Sequence, residues 1–131
     1  MWLQTKPKRK QEKISDFLKS EIEDRIERYA KKHFKKKYTY LDIHFRGSLC
    51  YIDCYTDPAV RTAEEAARLK KEKPESVIHL CRLRYTGTRN EWEFEFFSYS
   101  NEKYQPACFP SGNFLGIPEE AFDTAANLYL N

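Results

Sequence analysis

Asp42, His44 and Asp53 are the residues of this sequence whose types are best suited to acid–base or metal chemistry. All three fall within one short stretch, Tyr40–Tyr55. Two carboxylates with an imidazole supply general acid–base groups or ligands for a divalent cation. No HxH, HExxH or DxD motif accompanies them, and exposed strand faces commonly carry charge. The sequence leaves open whether the two aspartates share a proton, bind a cation, or pair with Arg46, Arg82 or Arg84.

The element that must position these residues is a β-hairpin. Apolar and polar residues alternate through Tyr40–Tyr55, and Gly47 followed by Ser48 suits a type II′ turn. In this register the inward pairs are all apolar: Phe45 with Cys50, Ile43 with Ile52, and Leu41 with Cys54. On the other face, Asp42 lies directly opposite Asp53, and His44 lies opposite Tyr51.

A second hairpin is predicted over Ile78–Tyr99, with Thr88 and Arg89 as a two-residue turn or, since this pair is not favoured in such turns, with a longer loop over Gly87–Asn90 that leaves the faces unchanged. Side chains alternate between the faces of a strand. The predicted core face therefore comprises His79, Cys81, Leu83, Tyr85, Trp92, Phe94 and Phe96. The outer face pairs Arg84 with Glu93 and Arg82 with Glu95, which adds roughly 0.2–1 kcal/mol per pair. Farther from the turn, the same register places Leu80 opposite Phe97 and Ile78 opposite Tyr99, also on the outer face.

Aromatic and basic side chains are interleaved on the combined outer face of the two hairpins. Such a surface can stack bases and contact phosphates. The predicted binding face comprises Tyr40, His44, Arg46, Tyr51, Tyr55, Arg82 and Arg84. The same face can instead receive a protein partner or a second copy of the chain, with apolar area supplied by Ile78, Leu80, Phe97 and Tyr99.

Charge is unevenly distributed along the 131 residues. Residues 1–38 hold 13 Lys/Arg and 6 Asp/Glu, a net charge of +7, and the remainder carries −4. A basic terminal third is typical of polyanion binders, although lysines at a helix end also suit the helix dipole. Residues 1–13 are predicted to be a disordered basic tail. No apolar run is long enough to span a membrane and no secretory signal is recognisable, so a cytoplasmic protein is expected.

The remaining segments complete an α+β domain over residues 14–131. A long amphipathic helix is predicted over Ile14–Lys37, with an apolar stripe formed by Ile14, Leu18, Ile22, Ile26, Tyr29 and His33. Residues 57–74 form a helical insert that a Thr62–Glu65 capping box opens. Tyr104–Phe109 is a candidate edge strand that Pro106 would break. A last helix covers Pro118–Leu130, and both terminal helices should pack on the core face of an antiparallel sheet of four to five strands.

No cofactor is predicted. Cys50, Cys54 and Cys81 are expected to be buried thiols, because all three fall on the core face and no CxxC spacing is present. The loop containing Ser111 lacks the GxSxG context of a nucleophile, and neither a P-loop nor GxGxxG occurs.

Three segments carry a resemblance: FRGSLCYID, LCRLRY followed by WEFEFFSYS, and FPSG followed by GIPEEAFDTAANLYL. Together they resemble a family of small uncharacterised bacterial proteins, over Tyr40–Asp53 and Leu80–Leu130. The resemblance implies no activity, cofactor or catalytic residue.

The sequence therefore favours a non-enzymatic interaction module with nucleic acid as ligand, and a protein partner or homodimer as the alternative use of the same face. A different class of function is a small metal-assisted hydrolase or nuclease built on Asp42, His44 and Asp53. Convergence of these three side chains in a cleft with a bound metal would favour the enzyme, and a flat surface rich in arginine would favour the interaction module.

Overall fold

A computed structural model of the chain describes residues 13–130. The segment predicted to be a disordered tail therefore lies outside the described residues, apart from Lys13. The helices are α1 (Asp16–His33), α2 (Ala63–Glu72) and α3 (Pro118–Tyr129), and a short 3₁₀ turn spans Pro74–Ser76. The strands are β1 (Tyr40–Arg46), β2 (Leu49–Tyr55), β3 (Ile78–Thr88), β4 (Glu91–Ser98), β5 (Lys103–Ala107) and β6 (Leu115–Gly116).

The predicted α+β architecture is confirmed. The strands form one antiparallel sheet in the order β1-β2-β3-β4-β5, and the two-residue strand β6 pairs with β4. Helices α1 and α3 pack against each other and against the core face of this sheet. We call the opposite face the outer face. Among residues 13–130 no helix is long and apolar enough to cross a membrane.

The first hairpin has the predicted register throughout. Asp42 is paired with Asp53, His44 with Tyr51, and the three inward pairs are apolar as expected. Gly47 has a φ of +60°, and Ser48 is not among the residues with positive φ. This combination is that of a type II′ turn, in which only the first central residue needs a positive φ.

The second hairpin has the predicted register from Cys81–Phe96 to Tyr85–Trp92, but its turn lies elsewhere. An irregularity after Tyr85 brings Thr88 opposite Glu91, so Arg89 and Asn90 close the hairpin, and the prediction of Thr88-Arg89 was wrong. The indole N–H of Trp92 donates to the carbonyl of Arg89 at 2.8 Å. This bond satisfies the polar atom of a fully buried side chain and fixes the turn.

A β-bulge in β3 overturns part of the predicted face assignment. Cys81 pairs with Ile52, but Asp53 pairs with His79, so Leu80 is an extra residue on β3. Leu80 and Cys81 are both fully buried in the core, and Ile78 packs against the core as well. His79, predicted to face the core, consequently lies on the outer face beside Asp53. The placement of Leu80 and Ile78 on the outer face was wrong.

Helix α1 spans Asp16–His33, so it is shorter at both ends than the predicted Ile14–Lys37. The Ser15 hydroxyl accepts a hydrogen bond from the amide of Leu18 at 3.1 Å, which makes it the N-cap. The helix ends at His33 rather than Lys37 because Phe34 leaves helical geometry and is buried edge-on against Phe122. His33 itself is exposed, so it does not belong to the buried stripe.

Helix α2 is capped by Thr62 and Glu65, as the capping box predicts. The helix packs on the outer face of the sheet at the end of the first hairpin. There, a second small core forms from Tyr55, Val60, Ala66 and Val77, with Tyr40 and Leu69 against it. The insert therefore covers one end of the outer face.

Strand β5 continues through Pro106, which pairs with Glu95, so the prediction that Pro106 would break the strand was wrong. Proline is tolerated on edge strands because it needs to donate no ladder hydrogen bond on the open side.

Candidate functional site

Asp42, His44 and Asp53 converge on the outer face, and we call these three residues the Asp–His cluster. Each offers a ligand atom, and these atoms lie within 4.8 Å of one another. The convergence follows from local structure. Asp42 and His44 are two residues apart on β1 and therefore share a face, and the hairpin register places Asp53 opposite Asp42.

His44 is held in place by stacking. Its ring lies parallel to that of Tyr51, with the centroids 5.1 Å apart. Its Nδ1 lies 3.4 Å from Oδ1 of Asp42, but this nitrogen is buried and makes no well-aligned hydrogen bond within residues 13–130. The contact with His44 lowers the pKa of the Asp42 carboxyl, against the opposing effect of burial. Asp42 is therefore kept as a carboxylate beside a ring nitrogen, an arrangement that suits a cation.

Asp53 is the most enclosed member of the cluster, because its side chain is only 3% exposed. One carboxylate oxygen lies 2.9 Å from Nδ1 of His79. A buried carboxylate without hydrogen-bond donors is costly, and His79 supplies one. The bulge at Leu80 thus adds a second histidine to the surroundings of the cluster.

Beside the cluster, planar side chains from β1, β2, β3 and β5 form a row that consists of His44, Tyr51, Arg82 and Tyr104. The guanidinium of Arg82 lies over the rings of Tyr51 and Tyr104, at 5.6 Å and 4.6 Å from their centroids. Arg82 also forms an ion pair with Glu95, its predicted partner. The arginine is therefore fixed in one position and its charge is balanced within the row.

The residues of the predicted binding face have different environments. Tyr55 is 1% exposed beneath α2, so it cannot contact a ligand, and Tyr40 lies half-buried next to it. Arg46 is exposed, and Arg84, His44 and Tyr51 are partly exposed. Leu80 and Ile78 belong to the core side, so they do not supply the apolar area that was expected for a protein partner on the outer face. Phe97 packs between His79, Tyr99 and Tyr104.

The three thiols on the core face are poorly suited to metal binding. Cys50, Cys54 and Cys81 are buried on the core face. Burial raises the pKa of Cys54 to about 12 and that of the other two thiols as well. Metal coordination requires the thiolate, which burial disfavours. The oxygen and nitrogen donors of the Asp–His cluster are the groups that fit a cation.

The residue that sequence reasoning missed is His79. Alternation extended from Cys81 back along the strand places it in the core, whereas the consecutive apolar residues Leu80 and Cys81 are the signal that marks the change of face. A histidine at a core-facing position is itself a weak signal, because imidazole is only moderately buried in most proteins.

Comparison with protein-family models, with curated proteins and with solved structures found no match. Function is therefore inferred from the geometry of the outer face.

Proposed function

We propose that this protein binds a divalent transition-metal ion on the outer face of its sheet, through Asp42, His44 and Asp53. The observation that carries the proposal is the convergence of three ligand atoms within 4.8 Å of one another. Donors gathered at such separations need only small side-chain rotations to reach coordination distances of about 2.0–2.2 Å from a shared ion.

Electrostatics favours an ion at this position. Asp42 and Asp53 face each other across strands, and like charges directly opposite destabilise a sheet. Asp53 is buried and Asp42 is held ionised by its contact with His44. A cation between the two carboxylates turns this repulsion into attraction.

The donor set indicates the class of ion. Carboxylates suit Mg²⁺, Ca²⁺ and Mn²⁺, whereas imidazole suits Zn²⁺ and other transition metals. The mixed set therefore favours Mn²⁺ or Zn²⁺ over Ca²⁺. Three protein ligands leave coordination positions for water or substrate, as in catalytic metal sites. Metal-assisted hydrolysis is the reaction class that such a site serves, because a bound ion lowers the pKa of its water.

Replacing Asp42 with asparagine should weaken Mn²⁺ binding, measured by calorimetric titration of the full chain. The expected loss exceeds the ~10–100-fold that follows removal of a residue that only hydrogen-bonds a ligand. Asp16→Asn is the matched control, because Asp16 is a fully exposed carboxylate at the start of α1. The Asp16→Asn variant should bind Mn²⁺ with the same affinity as the wild-type protein.

Equal affinity in the Asp42→Asn and Asp16→Asn variants would contradict the proposed site, and so would a wild-type protein that binds neither Mn²⁺ nor Zn²⁺. An assay of the same proteins with an activated phosphodiester distinguishes a catalytic ion from an ion that is only bound. Hydrolysis that needs Mn²⁺ and fails in Asp42→Asn supports catalysis, and binding without turnover leaves a metal-binding module.

A second candidate function is binding of single-stranded nucleic acid to the same face. The row of planar groups formed by His44, Tyr51, Arg82 and Tyr104 favours it, because bases stack on aromatic and guanidinium planes. Arg46 is the last residue of β1, next to the hairpin turn, and its side chain is exposed and can contact phosphate. A bound cation would further reduce the negative charge that Asp42 and Asp53 contribute to this face.

If the basic N-terminal third contributes, oligonucleotide affinity should fall steeply with salt. Each phosphate contact adds about 0.7 to the slope of log affinity against log salt for a single strand. Residues 1–13 carry five positive charges, so deleting them should reduce the slope by up to about 3.5. Fluorescence anisotropy at several salt concentrations measures both slopes. An unchanged slope would remove the tail from this function, and Tyr51→Ala tests the sheet face separately.

A further inference from the structure

His79 reaches the outer face only because β3 contains an extra residue. Leu80 and Cys81 both point into the core opposite Ile52, and this reverses the alternation of the residues before them. Beta-bulges recur next to active sites, where they re-aim a side chain. Here the re-aimed side chain is the one that meets the buried carboxylate of the Asp–His cluster.

The imidazole of His79 is fixed from several sides. Its Nδ1 lies 2.9 Å from Oδ1 of Asp53, and its ring packs on Phe97 with centroids 4.8 Å apart. The backbone N–H of His79 donates to the hydroxyl of Tyr99 at 2.7 Å. Because an ionised Asp53 only accepts hydrogen bonds, the proton of this contact lies on Nδ1. The ring is therefore a rigid donor to one oxygen of Asp53.

We infer that His79 is a positioning residue for the cation site: it holds one carboxylate oxygen of Asp53, and thereby orients the carboxylate toward the ion shared with Asp42 and His44. This inference rests on the proposed function. Carboxylates that ligate metals are commonly held by such hydrogen bonds, and loss of the donor typically costs ~10–100-fold in metal affinity.

The test compares two amide substitutions at one position, with Mn²⁺ affinity measured by calorimetric titration. His79→Asn retains an N–H near the place of Nδ1, whereas His79→Gln carries its amide near the place of Nε2 and cannot reach Asp53 in the same way. The expected result is a loss of ~10–100-fold for His79→Gln and less than about 3-fold for His79→Asn. His33→Gln is the matched control, because His33 is an exposed histidine on α1 and should leave affinity unchanged.

The outcomes distinguish this inference from the function on which it rests. A wild-type chain that binds neither Mn²⁺ nor Zn²⁺ overturns the cation site itself. A wild-type chain that binds Mn²⁺ with an affinity that His79→Gln leaves intact overturns the role of His79 alone. Equal large losses in both amide variants would instead make the imidazole a direct ligand, which also overturns the positioning role. Circular dichroism of each variant checks that the fold is retained. General destabilisation would lower Mn²⁺ affinity in both variants, so affinity that is retained in His79→Asn and lost in His79→Gln points to the hydrogen bond itself.

Discussion

Replacing Leu80 with alanine is expected to lower the free energy of unfolding by about 2–5 kcal/mol, the range for truncating a large aliphatic side chain in a core. Leu80 is fully buried and belongs to the main core cluster. Its removal leaves a cavity between the sheet and the helices that cover the core face. Urea denaturation gives the value, and an unchanged m-value would show that the two-state unfolding is preserved.

Leu128→Ala is the matched control, since the same truncation occurs on α3 at a side chain that is 61% exposed. Its effect should remain within about 0.5 kcal/mol. If Leu80→Ala were equally mild, Leu80 would lie on the outer face and β3 would have no bulge. His79 would then return to the core side, and its contact with Asp53 would be lost.

The first hairpin was predictable because two independent signals agree. Gly47-Ser48 selects the turn, and the turn fixes a register in which every inward pair is apolar. The same register determines that Asp42 meets Asp53, so the Asp–His cluster could be anticipated from the sequence alone. Local turn chemistry and hydrophobic pairing both act over a few residues, so their outcome can be predicted from the sequence.

The bulge was missed because a single alternation was extended along the whole strand. In Ile78–Tyr85 the apolar residues occupy even positions up to Leu80 and odd positions from Cys81, so two consecutive apolar residues mark the change of face. Both residues are buried, in a strand that α3 contacts extensively. The pattern alone is equally compatible with Leu80 on a covered outer surface, and tertiary packing decides that both residues enter the core.

The coverage of the outer face by α2 also depends on tertiary contacts. The apolar stripe of this helix is thin, and Ala66 is its one fully buried member among the described residues. Tyr55, Val60 and Val77 supply the other side of that small core. The aromatic residues at positions 40 and 55 thus serve packing beneath α2, while the open part of the face contains the Asp–His cluster. The insert narrows the surface on which a ligand can bind.

Saturation with Mn²⁺ is expected to raise the thermal stability of the wild-type protein substantially. An ion that binds only the folded state at a hundred times its dissociation constant adds about 2.7 kcal/mol. For a chain of this size, such an increase corresponds to a rise in Tm on the order of 10 °C. Differential scanning calorimetry with and without the ion measures it. Asp42→Asn should abolish the rise, and Asp16→Asn should retain it in full.

The size of this rise in Tm and its dependence on pH test the site more strictly than the mere occurrence of a rise does. Nonspecific binding to surface carboxylates would produce a small shift that Asp42→Asn barely alters, and that result would contradict a defined site. A site containing an imidazole must lose affinity in acid, because protons compete with the metal for the ligands. The rise in Tm that Mn²⁺ causes should therefore become smaller as pH falls. As the solution is acidified, this loss should begin at a higher pH than it would at a site made of carboxylates alone. Ca²⁺ at the same concentration should stabilise less, because it gains little from the nitrogen of His44.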